Sequence, residues 1–588
     1  MIRCILAMLV CLCTFSCKDT FDITPENVLR ADRMYQNVND ADAAIFGIIG
    51  KLTTVMDRYI VLNELRADLM DVTPNADKYL REINDHDISA NNPWADPRPY
   101  YELILNCNDV MKNFDIMLST NRIDQANYGI RYSEVATVLC WTYLQLGIHY
   151  GSVPYVTDAL ATIEDVDDIS KYPLITFDQL LDKLITVMNG LPVLNPIQLL
   201  TPQKVVLIVP EGASLIKTID GYSTQRMFLN RHQLLGELYL WKGDYPMAAR
   251  YLRKPLEYGT LVDATKTDLF GNFMREYPSN NGHEKWSTTF TSSFDNDDKN
   301  SILTNLPFDR NFKPANPFVT FFSHGGKYQL KPSLQAINNW NSQVRSDGSP
   351  IDIYRGPDKS YSTGTEPEVK KLLNSYNLSN PFATNGKIIL GRAAGLMLHY
   401  AEAANRDGRD QLAMGFLNSG FRGGIFNGPP PVPTNVVNIK QNFDTNPDYY
   451  IDARQGTYPY FSGPWIRLEG VRGHVGIAAV RVDSAQYYDM SNPGLWDKPV
   501  QAGKETALAI AIEDLLLNES ALEMAYEGVR WSDLLRVALR REKEAPGTGR
   551  AFIKAKIEAK FAAAGLPVPA GVTKLGTSVN DWYLPFKF

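Results

Sequence analysis

Apolar residues recur every three or four positions over long stretches of this chain, the spacing of helices with one buried face. The pattern predicts helices over about 39–55, 100–118 and 125–150. In the last of these Tyr132, Val135, Ala136, Leu139, Tyr143 and Leu146 share a face, and Gly151 followed by Pro154 gives a stop signal. A shorter helix is expected over 177–188 and a long one over about 507–540. An apolar helix from Leu234 ends at Gly243, and the next one brings in Ala248. The same arrangement returns at Leu398–Ala403, with Gly408 and then Ala413. A turn glycine followed by a small residue lets two antiparallel helices approach closely. The expected fold is mainly α, a frame of tetratricopeptide-like α-helical hairpins at irregular spacing.

That frame covers about 39–258 and 390–540, and two long loop-rich insertions interrupt it, over about 259–385 and 423–503. The insertions are rich in Ser, Asn, Asp, Gly and Pro. Aromatic residues such as Trp286, Phe290, Phe321, Phe322 and Trp340 are interleaved with them. Loops this long in a folded chain usually carry function or local structure.

Composition narrows the field only slightly. Of 588 residues 44% are hydrophobic and 21% charged, which excludes wholesale disorder, and a net charge of −7 argues against a nucleic-acid partner. The N-terminus carries more information. Arg3 precedes an apolar run from Ile5 to Phe15, the h-region of a signal peptide and too short to span a bilayer. Thr14-Phe15-Ser16-Cys17 resembles a bacterial lipobox, which implies cleavage after residue 16 and acylation of Cys17. Membrane attachment is then expected through the lipid anchor only. Cys107 and Cys140 fall inside apolar helical patterns and read as core thiols, although spacing cannot decide whether they pair.

Ile512–Arg536 reads IEDLLLNESALEMAYEGVRWSDLLR, and Glu519, Glu523, Glu527, Gly528, Arg530, Asp533 and Leu534 fall on one spaced pattern. This pattern is similar to one in the SusD/RagB family of Bacteroidetes surface nutrient-binding lipoproteins. Leu396–Ala403 with Gly408 and Leu417-Asn418, Tyr150–Tyr155, and Asp581–Pro585 resemble the same family, so the likeness runs along the whole chain. It departs from the family at Ala136, Leu139 and Ser520, where arginines are common. The resemblance implies a single SusD-like domain over 17–588. It also implies an outer-membrane lipoprotein facing the cell exterior, which captures a glycan and delivers it to a SusC-type TonB-dependent transporter.

The residues themselves bear on catalysis and binding. Glu519, Glu523 and Glu527, with Arg530 beyond, read as i,i+4 and i,i+3 pairs on an exposed helix face. Glu64 and Asp68 likewise read as a solvated face. No Gly-x-Ser-x-Gly elbow, phosphate-binding loop or His-Glu-x-x-His helix occurs, and seven dispersed histidines give no metal centre and no cofactor site. His399 reads as a packed histidine. Sugar binding needs aromatic faces for C–H surfaces and planar polar groups for hydroxyls. The family's site lies on loops before the second helix and in the mid-chain insertions, which implies Trp94, Trp286 and Trp340 as rings with Asp68 and Arg81 as polar partners. Two other functions fit the residues: a glycoside hydrolase using two carboxylates, or a helical scaffold that grips a protein.

Overall fold

Asn37 and Asp40 cap each other to start helix α1 (Val38–Thr53), each side chain accepting the other's backbone N–H. A computed structural model describes residues 34–587, except 160–170, 195–214, 258–285, 292–301, 310–314, 375, 380–381, 383, 419, 421–445, 452–468 and 492–497. The expected signal peptide and Cys17 fall outside the described residues, as does much of the expected insertion at 423–503.

The further long helices are α2 (Lys78–Asp85), α3 (Arg98–Ser119), α4 (Gln125–Tyr150), α5 (Phe177–Asn189), α6 (Arg231–Lys242) and α7 (Tyr245–Glu257). After them come α8 (Leu334–Asn341), α9 (Ala393–Arg406), α10 (Asp410–Leu417), α11 (Glu505–Glu523), α12 (Arg530–Glu544) and α13 (Thr548–Ala563). Pairs α3/α4, α6/α7, α9/α10 and α12/α13 pack as hairpins, and α9 also lies against α7 and α11. The fold is therefore mainly α and built on tetratricopeptide-like hairpins. Helix α4 runs from Asp124, whose side chain accepts the Asn127 N–H, to Gly151 at φ +71°. It is buried on nearly every side after Asn127, because α1, α3, α5 and α6 all pack on it.

In the α6–α7 hairpin Gly243 adopts φ +81°, as a turn glycine should. The close approach comes from Gly236 rather than Ala248. A Cβ at Gly236 would stand 2.6 Å from Leu252 Cγ, so only glycine lets the helices meet there.

The long helix expected over 507–540 is two helices. Met524–Val529 forms a turn in which Tyr526 and Gly528 take φ +69° and +82°. Glu64, on a π-helical turn at Val61–Leu65, explains the break. Its carboxylate accepts the N–H of Tyr526 (3.0 Å), Gly528 (2.7 Å) and Val529 (3.1 Å), satisfying backbone that a continuous helix would have satisfied itself. Glu64 is fully buried, not solvated, and burial pushes its carboxyl up to about 7 against the pull of these N–H groups.

Four two-stranded ladders complete the described architecture. Strand β1 (Met70–Val72) pairs antiparallel with β5 (Leu330–Pro332), Met70 opposite Pro332. Strand β4 (Ile302–Phe308) pairs antiparallel with β6 (Gly386–Arg392), Ile302 opposite Arg392. Strand β2 (Ser152–Pro154) pairs with β3 (Leu174–Thr176), and a short hairpin joins Thr218–Ile219 to Tyr222–Ser223. Within 259–385, where no helix was expected, Ser333 caps the eight-residue α8, which is too short to show a period. Short helices Phe318–Phe322 and Lys370–Leu373 also lie there.

An acidic stripe that runs from α11 into the turn after it joins this segment to the frame. Glu519, Glu523 and Glu527 are 1%, 2% and 5% exposed, which overturns the exposed-helix reading. Arg355 donates to Glu519 (2.6 Å) and Glu523 (3.0 Å), and Arg392 to Glu523 (2.6 Å) and Glu527 (2.7 Å). Lys371 donates to Glu527 and Arg472 to Glu519. The cations come from residues 355–472, so the helix carries one sign of charge and the segments packed on it carry the other. Cys107 and Cys140 are buried free thiols.

Candidate functional site

Three elements meet where β1 and β5 end: α2, a 3-10 turn at Pro93–Ala95, and the short helix Phe318–Phe322. Asn92 fixes the turn. Its Oδ1 accepts the Trp94 N–H (2.9 Å), while its Nδ2 donates to Tyr79 O (3.0 Å) and to Glu82 Oε2 (2.9 Å) on α2. Held this way, the Trp94 ring stays half-buried and meets Phe321 edge-on, with ring centroids 5.8 Å apart. The Arg58 guanidinium lies 5.8 Å from the centre of the same indole. Phe318 and Phe322 of the short helix are buried in the core, which leaves Phe321 half-exposed.

Arg81 extends from α2 to the neighbouring loop. It donates to Pro74 O (2.8 Å), Thr73 O (3.1 Å) and Ala76 O (3.2 Å). Thr73 in turn donates its N–H to Gln329 O (2.9 Å), and the Gln329 N–H reaches Phe321 O (2.7 Å). Arg81 thus shapes the loop that backs the Phe321 segment. Further along that segment the His324 ring stacks on Tyr328 at 4.0 Å. Burial would lower the His324 imidazole, but hydrogen bonds to Glu368 (2.9 Å) and Glu366 (3.3 Å) outweigh it and raise the pKa.

Of the five expected ligand residues, Trp94 and Arg81 are partly exposed, on the turn beside α2 and on α2 itself, and the other three are buried. Trp286 is 1% exposed and donates its indole N–H to Glu523 Oε1 (2.9 Å). Trp340 is fully buried and donates to Leu522 O (3.2 Å), with Tyr361 and Tyr526 around it. Both rings are anchors that seat insertion segments against α11. Asp68 is 4% exposed and holds Arg530 through both carboxylate oxygens at 2.7 Å. Trp286 and Trp340 lie in the loop-rich insertions and Asp68 reads in sequence as part of a solvated face, but their tertiary partners bury all three. Phe321 was not singled out. Its signal was the spacing Phe318, Phe321, Phe322, in which two rings anchor a short helix and one is left over.

This surface offers ring edges and faces, amides and a guanidinium, and its one described hydroxyl–carboxylate contact, Ser89 donating to Glu82 Oε2 (2.6 Å), shares that oxygen with Asn92 Nδ2. The described residues do contain one serine–aspartate–histidine set, in the core. Asp533 accepts from Ser520 (3.0 Å) through one oxygen and contacts His399 Nε2 (3.0 Å) through the other. With the aspartate in the middle, the histidine cannot take the serine proton, so the set lacks the nucleophile–base contact of a catalytic triad. Far from being a bystander packed on apolar neighbours, His399 is held by charge. Among the described residues no group of three or more His, Cys, Asp or Glu could hold a metal ion, and no helix is long and apolar enough to cross a membrane.

Comparison with known proteins places the fold. No family model and no curated protein sequence matches the chain. Solved structures do. A SusD superfamily protein from Bacteroides vulgatus matches with a TM-score of 0.55 at 12% identity, over 92% of this chain and 98% of that one. A SusD superfamily protein from Bacteroides thetaiotaomicron matches at 0.54 and 15% identity, over 91% and 99%. Surface glycan-binding protein A from Bacteroides uniformis matches at 0.54 and 15% identity, over 93% and 96%.

Proposed function

We propose that this chain, which has the SusD fold, is a non-catalytic surface protein that captures a glycan or oligosaccharide on the Trp94–Phe321 face. On this reading it passes the ligand to a SusC-type TonB-dependent transporter in the outer membrane. The observation that carries the proposal is the half-exposed Trp94 ring, fixed by Asn92 and set edge-on to Phe321. A rigid ring loses little entropy on binding, and the C–H face of a sugar gains apolar burial against it. One structural neighbour bears the name of a surface glycan-binding protein, which fits this chemistry.

Trp94→Ala or Phe321→Ala should each weaken glycan binding by about 1–3 kcal/mol, roughly five- to a hundred-fold in Kd, with little change in melting temperature. Calorimetric titration paired with thermal melts checks this. The oligosaccharide recovered from the cell should keep its chain length; shortened products would establish a hydrolase instead. The anchor has its own test. Cys17→Ala should abolish incorporation of labelled palmitate and release the protein from the membrane, and continued labelling of that variant would refute the assignment.

A further inference from the structure

A cleft of about 680 Å³ opens between α5, the α6–α7 turn, α12 and the C-terminal segment. Its volume lies in the range of small-molecule sites. None of its lining residues belongs to the Trp94–Phe321 face. Arg536, Leu539, Arg540 and Lys543 line it from one side of α12, spaced as i, i+3, i+4 and i+7. Trp241 and Tyr245 flank the α6–α7 turn opposite, and both are only partly buried.

The charges on this cleft do not cancel. Asp178 is taken up by Lys242 (2.9 Å) and Glu544 by Arg406 (3.2 Å). Arg540 has a side chain only 8% exposed and spends Nη2 on Glu402 and Glu513 behind it. Its Nε and Nη1 have no hydrogen-bond partner among the described residues. Lys543, exposed beside it, has no carboxylate within ion-pair distance among the described residues. Nearly buried guanidinium N–H groups without acceptors, next to an unmatched ammonium, are complementary to a carboxylate.

We propose that this cleft is a second carbohydrate subsite that takes a sugar bearing a carboxylate, a uronic acid. Its carboxylate sits against Arg540 and Lys543, and its ring sits against Trp241 and Tyr245. The ligand class rests on the glycan-binding reading, while the site itself is separate from Trp94. A sugar fits better than an acidic peptide because the named walls are helix side chains. They present no free strand edge to pair with an extended backbone.

The test titrates the full chain with oligosaccharides of galacturonate, glucuronate and mannuronate, each against its carboxyl-reduced counterpart. At least one uronate should bind about tenfold or more tighter than its reduced form, and added salt should narrow the gap. Lys543→Glu, which reverses the exposed charge, should abolish that preference. Leu539→Trp, which fills the cleft, should abolish it too. Trp94→Ala should preserve it. Equal binding of uronate and reduced sugar overturns the proposal. So does an unchanged preference in both cleft variants, or equally tight binding of polyglutamate. If neutral sugars still bind through Trp94 while uronates show no preference, the cleft alone is refuted. If no carbohydrate binds at all, the glycan-binding reading falls with it.

Discussion

Glu523→Ala should destabilise the protein by about 3–5 kcal/mol, although the sequence alone would allow only a few tenths. Glu523 accepts from Arg392 (2.6 Å), Arg355 (3.0 Å) and the Trp286 indole (2.9 Å), at 2% exposure. Burial alone would raise its carboxyl, but Arg392 and Arg355 outweigh that and hold it well below the usual carboxylate range. Alanine leaves the indole N–H with no acceptor and both guanidiniums short of a counter-charge in a site water does not reach. The loss is therefore the penalty of stranded partners more than the worth of the pairs. Denaturant unfolding of the variant reads it directly. Glu558→Ala is the contrast, because its partner Lys554 lies one turn away and both are a third exposed. That change should stay within about 0.5 kcal/mol. If Glu523→Ala behaved like Glu558→Ala, the buried network would not be what fastens the insertions to α11.

The second large effect concerns pH. Burial would lower the His399 imidazole, yet Asp533 at 3.0 Å and Glu237 at 3.8 Å raise it from 6.5 to about 10. The folded state thus keeps a proton that the unfolded chain releases near pH 6.5. Its stabilisation is complete below that pH and is lost as the pH climbs towards 10. At about 1.4 kcal/mol per unit, the shift amounts to about 5 kcal/mol. Lys560 works in the opposite direction, since burial lowers it from 10.5 to about 8. The informative quantity is therefore the difference between wild type and His399→Gln. That gap should be widest near pH 6 and close as the pH approaches 10, when unfolding free energies are measured in steps of one unit. A gap that stayed constant with pH would mean that His399 has the same pKa in the folded and the unfolded chain.

Helix positions were legible wherever one face is apolar over three turns or more. α3, α4 and α5 begin and end within two residues of the spans their periodicity predicted. The break between α11 and α12 was not legible, because Met524, Ala525 and Tyr526 continue the apolar pattern. The carboxylate that stabilises the turn belongs to Glu64, more than four hundred residues earlier. The burial of the acidic stripe was hidden for the same reason: Arg355, Arg392 and Arg472 are far from it in sequence and nothing local announces them. At the candidate site, Trp94 and Arg81 are partly exposed as expected, Arg81 on α2 and Trp94 on the turn that Asn92 ties to α2. Trp286 and Trp340 were misread because polar neighbours report on exposure of the backbone stretch, not of the ring. Each indole instead finds a buried acceptor on α11.

The central claim is that a ring surface on this fold binds glycan without cutting it. Affinity electrophoresis through gels containing a panel of neutral polysaccharides tests it most directly, comparing wild type with Trp94→Ala/Phe321→Ala. The account expects wild type to be retarded by at least one polysaccharide, with no new reducing ends released, and the double variant to run as in an empty gel while melting at the same temperature. Equal retardation of the two proteins, or release of reducing ends by wild type, would contradict it.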